Sequence, residues 1–198
     1  MTRIALLRHF PTSWNAAHRI QGRTNIPLTG EASIALRSLH IPAPWAKASL
    51  HASPLSRAKE TALILARGRP VHFDPRMVEI DYGDWEGHRG ADLLEDPSSG
   101  YGHVEDGGWH RRPPGGGESH WDAWLRVQPL LAEIAHQGSA VLVMHRALMR
   151  CILAHAWNWQ FDCPEPFRIR RSHLHPVSIS PDGMVSDPGE LIPLERFA

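Results

Sequence analysis

The sequence predicts an α/β fold, a single-domain αβα sandwich on a mostly parallel central sheet. Three observations predict it. Short apolar runs of strand length alternate with stretches whose apolar residues recur at helical spacing. Two of those runs end directly in a histidine, His9 and His145, and sheets of this class gather ligands beyond the carboxyl ends of their strands. The chain has 198 residues, which suits one domain spanning 1–198 and leaves little for a second.

The elements follow in order. Ile4-Ala5-Leu6-Leu7, ending at Arg8-His9, reads as a buried strand. Thr12 or Ser13 can cap a short helix behind it. Thr29-Gly30-Glu31 opens the first long helix, with Ile34, Leu36 and Leu39 along it. Ala48 to Ala52 reads as a second strand, stopped by Ser53-Pro54. A helix then runs from about Leu55 to Ala66, with Leu55, Ala58, Ala62 and Leu65 on one face. Val71-His72-Phe73 reads as a third strand. Residues 92–117 form a Gly/Pro-rich loop near the site, too deep in the domain pattern to be a linker. From Glu118 the chain is helical, with Trp121, Trp124, Leu125, Leu131 and Ile134 at helical spacing. Ala140 to Met144 is a buried strand and Ala147 to Trp157 an apolar helix. Pro176 to Ser180 and Met184-Val185 close the sheet around an Asp182-Gly183 turn. No internal repeat is present.

Composition narrows the function. Hydrophobic residues make up 42% and charged residues 21%, and 21 basic side chains balance 21 acidic ones. With zero formal net charge, no global field draws the chain to nucleic acid or to a membrane surface. The N-terminal apolar run is too short for a signal peptide, and no stretch has the length of a membrane span. Cys151 and Cys163 form no C-x-x-C pair and read as reduced thiols, so a cytoplasmic location is expected. A homodimer is left open.

The residues at the strand ends suit one chemistry. A phosphate monoester is a dianion, and Arg8 and Arg57 can supply the planar bidentate donors that hold it. A neutral imidazole can attack phosphorus in line and form a phosphohistidine. Cationic and N–H donors then stabilise the charge spread over the transferring group. An alkoxide leaving group needs a proton, and a carboxyl beside a bound phosphate would have its pKa raised by like-charge repulsion.

Arg8-His9-Phe10-Pro11-Thr12-Ser13-Trp14-Asn15 resembles the R-H-G-x-[ST]-x-x-N signature of the histidine phosphatase superfamily, phosphoglycerate-mutase-like branch. Arg19-Ile20-Gln21-Gly22 with Ile26-Pro27-Leu28-Thr29 continues that pattern. Ser53-Pro54-Leu55-Ser56-Arg57-Ala58 with Glu60-Thr61-Ala62, then Glu79 with Tyr82-Gly83-Asp84-Trp85-Glu86-Gly87, resemble two further family segments. Gly116-Gly117-Glu118-Ser119 with Arg126 and the strand-terminal Met144-His145 complete the series, in order over most of the chain.

The resemblance implies a phosphoglycerate-mutase-like fold and a phosphatase without cofactor or metal, acting on a small phosphorylated substrate. It implies His9 as nucleophile, with Arg8, Arg57 and His145 on the phosphoryl oxygens and Asn15 adding an amide contact. It implies Glu79 as general acid and then as the base that activates water. Gln21 and Gly22 would line the substrate mouth. Two positions depart from the family pattern: Phe10 and Arg146 stand where it has glycines. Phe10 is expected to narrow or reshape the pocket and Arg146 to add charge beside it, which puts the substrate class in question more than the chemistry.

Two alternatives stay open. A phosphoglycerate-type mutase shares the pocket but must protect its phosphohistidine from water, and Arg111-Arg112 reads either as its carboxylate site or as a solvated pair. A non-catalytic phospho-ligand binding protein is suggested by Phe10 and Arg146. His173-x-His175 could put two rings on one strand face, but no further metal ligand is spaced to join them. Trp121, Trp124, Trp157 and Trp159 read as packing residues, and Trp85 and Trp109 flank the site, either to contact substrate or to be buried under the loop.

Overall fold

Alternation along the first strand decides the architecture. In the computed structural model, which describes residues 1–102 and 107–197, this strand is β1 (Thr2–Arg8) and lies inside the sheet between two others. Ile4 and Leu6 point to one face and pack with Val127, Leu131, Leu148 and Ile152. Ala5 and Leu7 point to the other and pack with Leu36, Ala58 and Ala62. A strand buried on both faces reads as an unbroken apolar run, as this one does.

The remaining strands are β2 (Leu39–His40), β3 (Ser49–Ala52), β4 (His72–Phe73), β5 (Ala140–Met144), β6 (His173–Ile179), β7 (Val185–Ser186), β8 (Ile192–Pro193) and β9 (Glu195–Arg196). The helices are α1 (Ser13–Ala16), α2 (Gly30–Arg37), α3 (Ser56–Ala66), α4 (Gly90–Glu95), α5 (His120–Ala135) and α6 (Arg146–Ala156). The main sheet runs β4-β3-β5-β1-β6-β7, with β8 also on β6. β1, β3, β4 and β5 are parallel; β6 turns antiparallel beside β1. α2 and α3 cover one face and α5 and α6 the other.

The expected elements form, with shifts that have local causes. α2 ends at Arg37, Ile34 on it is 72% exposed, and Leu39 belongs to β2 instead. Trp121 and Leu125 lie on the exposed side of α5 while Trp124 and Leu131 are buried. The 92–117 stretch carries part of α4 and a single turn at Pro97–Ser99 in place of unbroken loop. β6 begins at His173, ahead of Pro176. Among the described residues no helix is long and apolar enough to cross a membrane.

Register fixes the site. Arg8 pairs with Met144, and the His9 amide donates to the Met144 carbonyl at 2.9 Å, so His9 and His145 leave the sheet side by side. Their ring centroids are 5.3 Å apart. β3 runs beside β5, and the Ser53 amide donates to the Val143 carbonyl at 3.0 Å, placing Ser53 at the same edge. α3 starts three residues later and brings Arg57 back over it.

Candidate active site

A cavity of about 280 Å³ opens at this edge, lined among others by Arg8, His9, Asn15, Gln21, Gly22, Arg57 and Glu79. Among the residues assigned to the site from sequence, His145 alone does not reach its wall.

His9 is 3% exposed, and its Nδ1 lies 2.7 Å from the Phe10 carbonyl. A carbonyl only accepts, so Nδ1 carries the proton and Nε2 is left with its lone pair. Burial first, and then the positive charge of Arg57, hold the ring well below the usual imidazole pKa of 6.5, so it is neutral. A neutral imidazole with a free Nε2 on a cavity wall is a nucleophile in form.

Arg57 is fully buried. Its Nε donates to His145 Nδ1 at 3.2 Å, Nη1 to the Thr24 carbonyl at 2.8 Å and Nη2 to the Gly22 carbonyl at 2.6 Å. These bonds lock the guanidinium at the cavity wall, and each Nη nitrogen keeps one N–H without a protein partner among the described residues. An arginine cannot accept, so His145 Nδ1 is bare and the neutral ring holds its proton on Nε2, which faces Ser53 Oγ at 2.8 Å. Both His145 nitrogens are thus engaged with protein, and His145 holds Arg57 rather than presenting a donor to the cavity. Burial and then Arg57 keep this ring neutral too.

Arg8 lines the cavity, and no hydrogen bond ties its guanidinium among the described residues; its Nε is buried without a partner. Burial, then the charges of Arg171 and Arg146, lower it to about 9. Asn15 is held by a reciprocal cap: the Thr12 amide donates to its Oδ1 at 3.1 Å, and its own amide donates to Thr12 Oγ1 at 3.3 Å. Its side-chain Nδ2 makes no hydrogen bond among the described residues and is left for the cavity. Gln21 Oε1 accepts from Thr12 Oγ1 at 3.0 Å, which leaves its NH2 group over as well.

Glu79, 7% exposed, stands at the start of α6. Its Oε1 accepts from the amides of Ile80 and Leu148, each at 3.0 Å, and its Oε2 from Ala147 at 3.1 Å. These bonds and the helix N-terminus fix the carboxylate against the cavity.

The two departures from the family pattern resolve differently. Phe10 does not narrow the pocket: its side chain is buried in the α2/α3 core, and its amide donates to Thr61 Oγ1 at 3.1 Å. Its φ is not positive, so a side chain is accommodated without strain. Arg146 opens α6, lines the cavity and pairs with Glu165 at 2.7 Å.

Three site residues had no role assigned from sequence although each sits in a recognised motif. Ser53 holds His145. Thr61 ties Phe10 to the Arg57 carbonyl, to which its Oγ1 donates at 2.7 Å. Glu86 accepts from the amides of Arg23 at 2.7 Å and Thr24 at 2.9 Å, clamping the turn whose carbonyls hold Arg57. Gly22 has φ +49°, and a Cβ there would lie 1.7 Å from Glu86 Oε1, so the turn requires glycine.

Of the remaining candidates, Trp85 lines the cavity, Trp109 packs against Phe161 and Trp121, and Arg112 pairs with Asp122. His173 Nδ1 and His175 Nε2 lie near the backbone carbonyls of Arg171 and Arg170. Among the described residues no three His, Cys, Asp or Glu side chains are grouped to hold a metal ion.

Residues 4–187 match the family model described as Histidine phosphatase superfamily (branch 1). The chain belongs to this superfamily. It is 32% identical over 169 residues to the probable phosphoglycerate mutase GpmB of Salmonella paratyphi C (strain RKS4594), covering 78% of this chain and 74% of the relative. A mycobacterial glucosyl-3-phosphoglycerate phosphatase, solved with VO3, superposes with a TM-score of 0.73 at 26% identity, covering 90% of this chain and 93% of that one. A phosphoglycerate mutase from Thermus thermophilus superposes with a TM-score of 0.69 at 28% identity, covering 94% and 97%. This member of the superfamily therefore resembles both phosphatases and mutases, on one α/β fold.

Proposed function

We propose that the chain is a metal-independent phosphatase that hydrolyses a small phosphate monoester through a phosphohistidine on His9. The observation that carries the reading is the His9 ring itself: proton pinned on Nδ1, neutral, with Nε2 free on a wall that also presents Arg8 and Arg57. In-line attack by Nε2 forms the N–P bond as the ester P–O bond breaks. Arg8, Arg57 and the Asn15 amide take the charge on the equatorial oxygens.

The leaving alkoxide takes its proton from Glu79. The resulting carboxylate then takes a proton from water as that water attacks the phosphohistidine. The amide donors from α6 keep Glu79 oriented through both steps. His145 and Ser53 act by holding Arg57 in place.

The likeness to two phosphoglycerate mutases supports a second reading, transfer of the phosphoryl group between two substrate hydroxyls. One experiment separates them. Phosphate release from p-nitrophenyl phosphate should proceed and survive EDTA, and 3-phosphoglycerate should yield free phosphate rather than 2-phosphoglycerate. Activity lost on chelation and restored by a divalent ion would overturn the metal-independent mechanism. Isomer formation without phosphate release would establish the mutase.

A further inference from the structure

Arg146 and Arg150 take no part in the chemistry above. They stand one helical turn apart on the same face of α6, and both line the cavity. Arg150 is 6% exposed, its guanidinium 5.1 Å from the Trp159 ring and 5.5 Å from that of Phe161. Cation–π contact of this kind holds a guanidinium plane in place.

A single carboxylate serves both. Glu165 Oε2 lies 2.7 Å from Arg146 Nη2 and 3.2 Å from Arg150 Nε, the second contact an ion pair without hydrogen-bond alignment. Glu165 does not line the cavity, so it braces the two arginines from behind. Among the described residues neither Nη group of Arg150 makes a hydrogen bond. Two cations therefore share one carboxylate, and one of them is buried. A buried charge matched only in part is costly, and an anion bound beside it would offset that cost.

The reacting phosphoryl group does not do so, since Arg8 and Arg57 already serve it. We propose that Arg146 and Arg150 form an anion subsite next to the phosphoryl site, and that the substrate is a phosphate monoester bearing a second negative group, a carboxylate or a second phosphate. This rests on the phosphatase reading for what occupies the phosphoryl site, while the subsite can be tested without turnover.

Three matched ligands test it: glycerol 3-phosphate with no second anion, 3-phosphoglycerate with a carboxylate, and glycerol 1,3-bisphosphate with a second phosphate. Their dissociation constants are measured by calorimetry on His9→Asn protein, in which turnover is blocked, with and without Arg146→Gln or Arg150→Gln. One of the doubly anionic ligands should bind at least about tenfold more tightly than glycerol 3-phosphate, and which one does identifies the anion. Arg146→Gln should bring that ratio close to one. Arg146 is half exposed, so its variant should fold, and circular dichroism checks Arg150→Gln. A ratio near one in the parent protein, no binding of any ligand, or a ratio unchanged in both variants would overturn the subsite. Hydrolysis of p-nitrophenyl phosphate by the wild type is scored separately. Its absence alongside a ratio that depends on Arg146 would sink the phosphatase reading and leave the subsite standing.

Discussion

The carboxyl ends of β1 and β5 carry the same residue in almost the same place. His9 and His145 follow paired positions of adjacent parallel strands, both are buried, and burial keeps both neutral. Their partners separate them. His9 spends one nitrogen on the carbonyl of its own neighbour, and its other nitrogen has no hydrogen-bond partner among the described residues. His145 spends one nitrogen on Arg57 and the other on Ser53. The strand end whose ring is half satisfied has the form of a nucleophile, and the one whose ring is fully satisfied has the form of a support. Residue type and position alone do not distinguish them; the hydrogen-bond partners do.

The largest effect should come from the β1 end. His9→Ala should lower p-nitrophenyl phosphate hydrolysis by more than about a thousandfold with the melting temperature little changed. Steady-state rates beside a thermal melt check this, and retention of a tenth of the activity would rule out His9 as the nucleophile.

Next comes Glu79→Gln, which keeps the shape of the side chain and loses the proton. Alkyl phosphates, whose leaving groups need protonation, should slow by about a hundred- to ten-thousand-fold. An aryl phosphate with a stable leaving anion should slow much less. Equal losses on both substrates would make Glu79 a positioning group.

At the β5 end the losses should be smaller. His145→Ala should cost about a hundredfold through misplacement of Arg57, and Ser53→Ala less. Phosphoenzyme should still form in both. A His145→Ala protein that never labels would mean that this ring acts on phosphorus directly.

The smallest effect concerns acid. Each ring binds a proton less readily folded than unfolded. Above the ordinary value of 6.5 both states are neutral and no stability depends on the ring. As pH falls below 6.5 the unfolded chain takes up protons that the folded one refuses, so stability is lost at up to about 1.4 kcal/mol per pH unit for each ring. His51, lowered to about 4 by burial and then by His72, adds to the same trend. Melts at pH 7, 6 and 5 should show a falling midpoint, and His145→Gln should flatten the fall. A midpoint independent of pH across this range would contradict the burial of these rings as neutral groups.

Much of this was legible in the sequence because the signals are local. An unbroken apolar run ending in histidine gives the central strands and both strand-end rings, and Thr12 with Asn15 gives the capped turn that Asn15 needs. What escaped depends on contacts between distant segments. The Arg57–His145 bond joins residues 88 apart in sequence, and nothing near either residue announces it. Phe10 follows His9 and is expected to reshape the pocket, yet its side chain turns into the α2/α3 core and its amide goes to Thr61. Glu86 sits in a recognised motif, but its hold on the Gly22–Thr24 turn is visible only where the two loops meet. Strands β2, β8 and β9 have two residues each and carry no periodicity to read.

Trapping the phosphoenzyme decides whether His9, and not His145, takes the phosphoryl group. Wild-type protein, quenched at alkaline pH during turnover of a labelled phosphate ester, would be digested and mapped by mass spectrometry. The expectation is an alkali-stable, acid-labile phosphate on His9, present in His145→Ala and absent in His9→Ala. Phosphate on His145, or on any other residue with His9 unmodified, would contradict it.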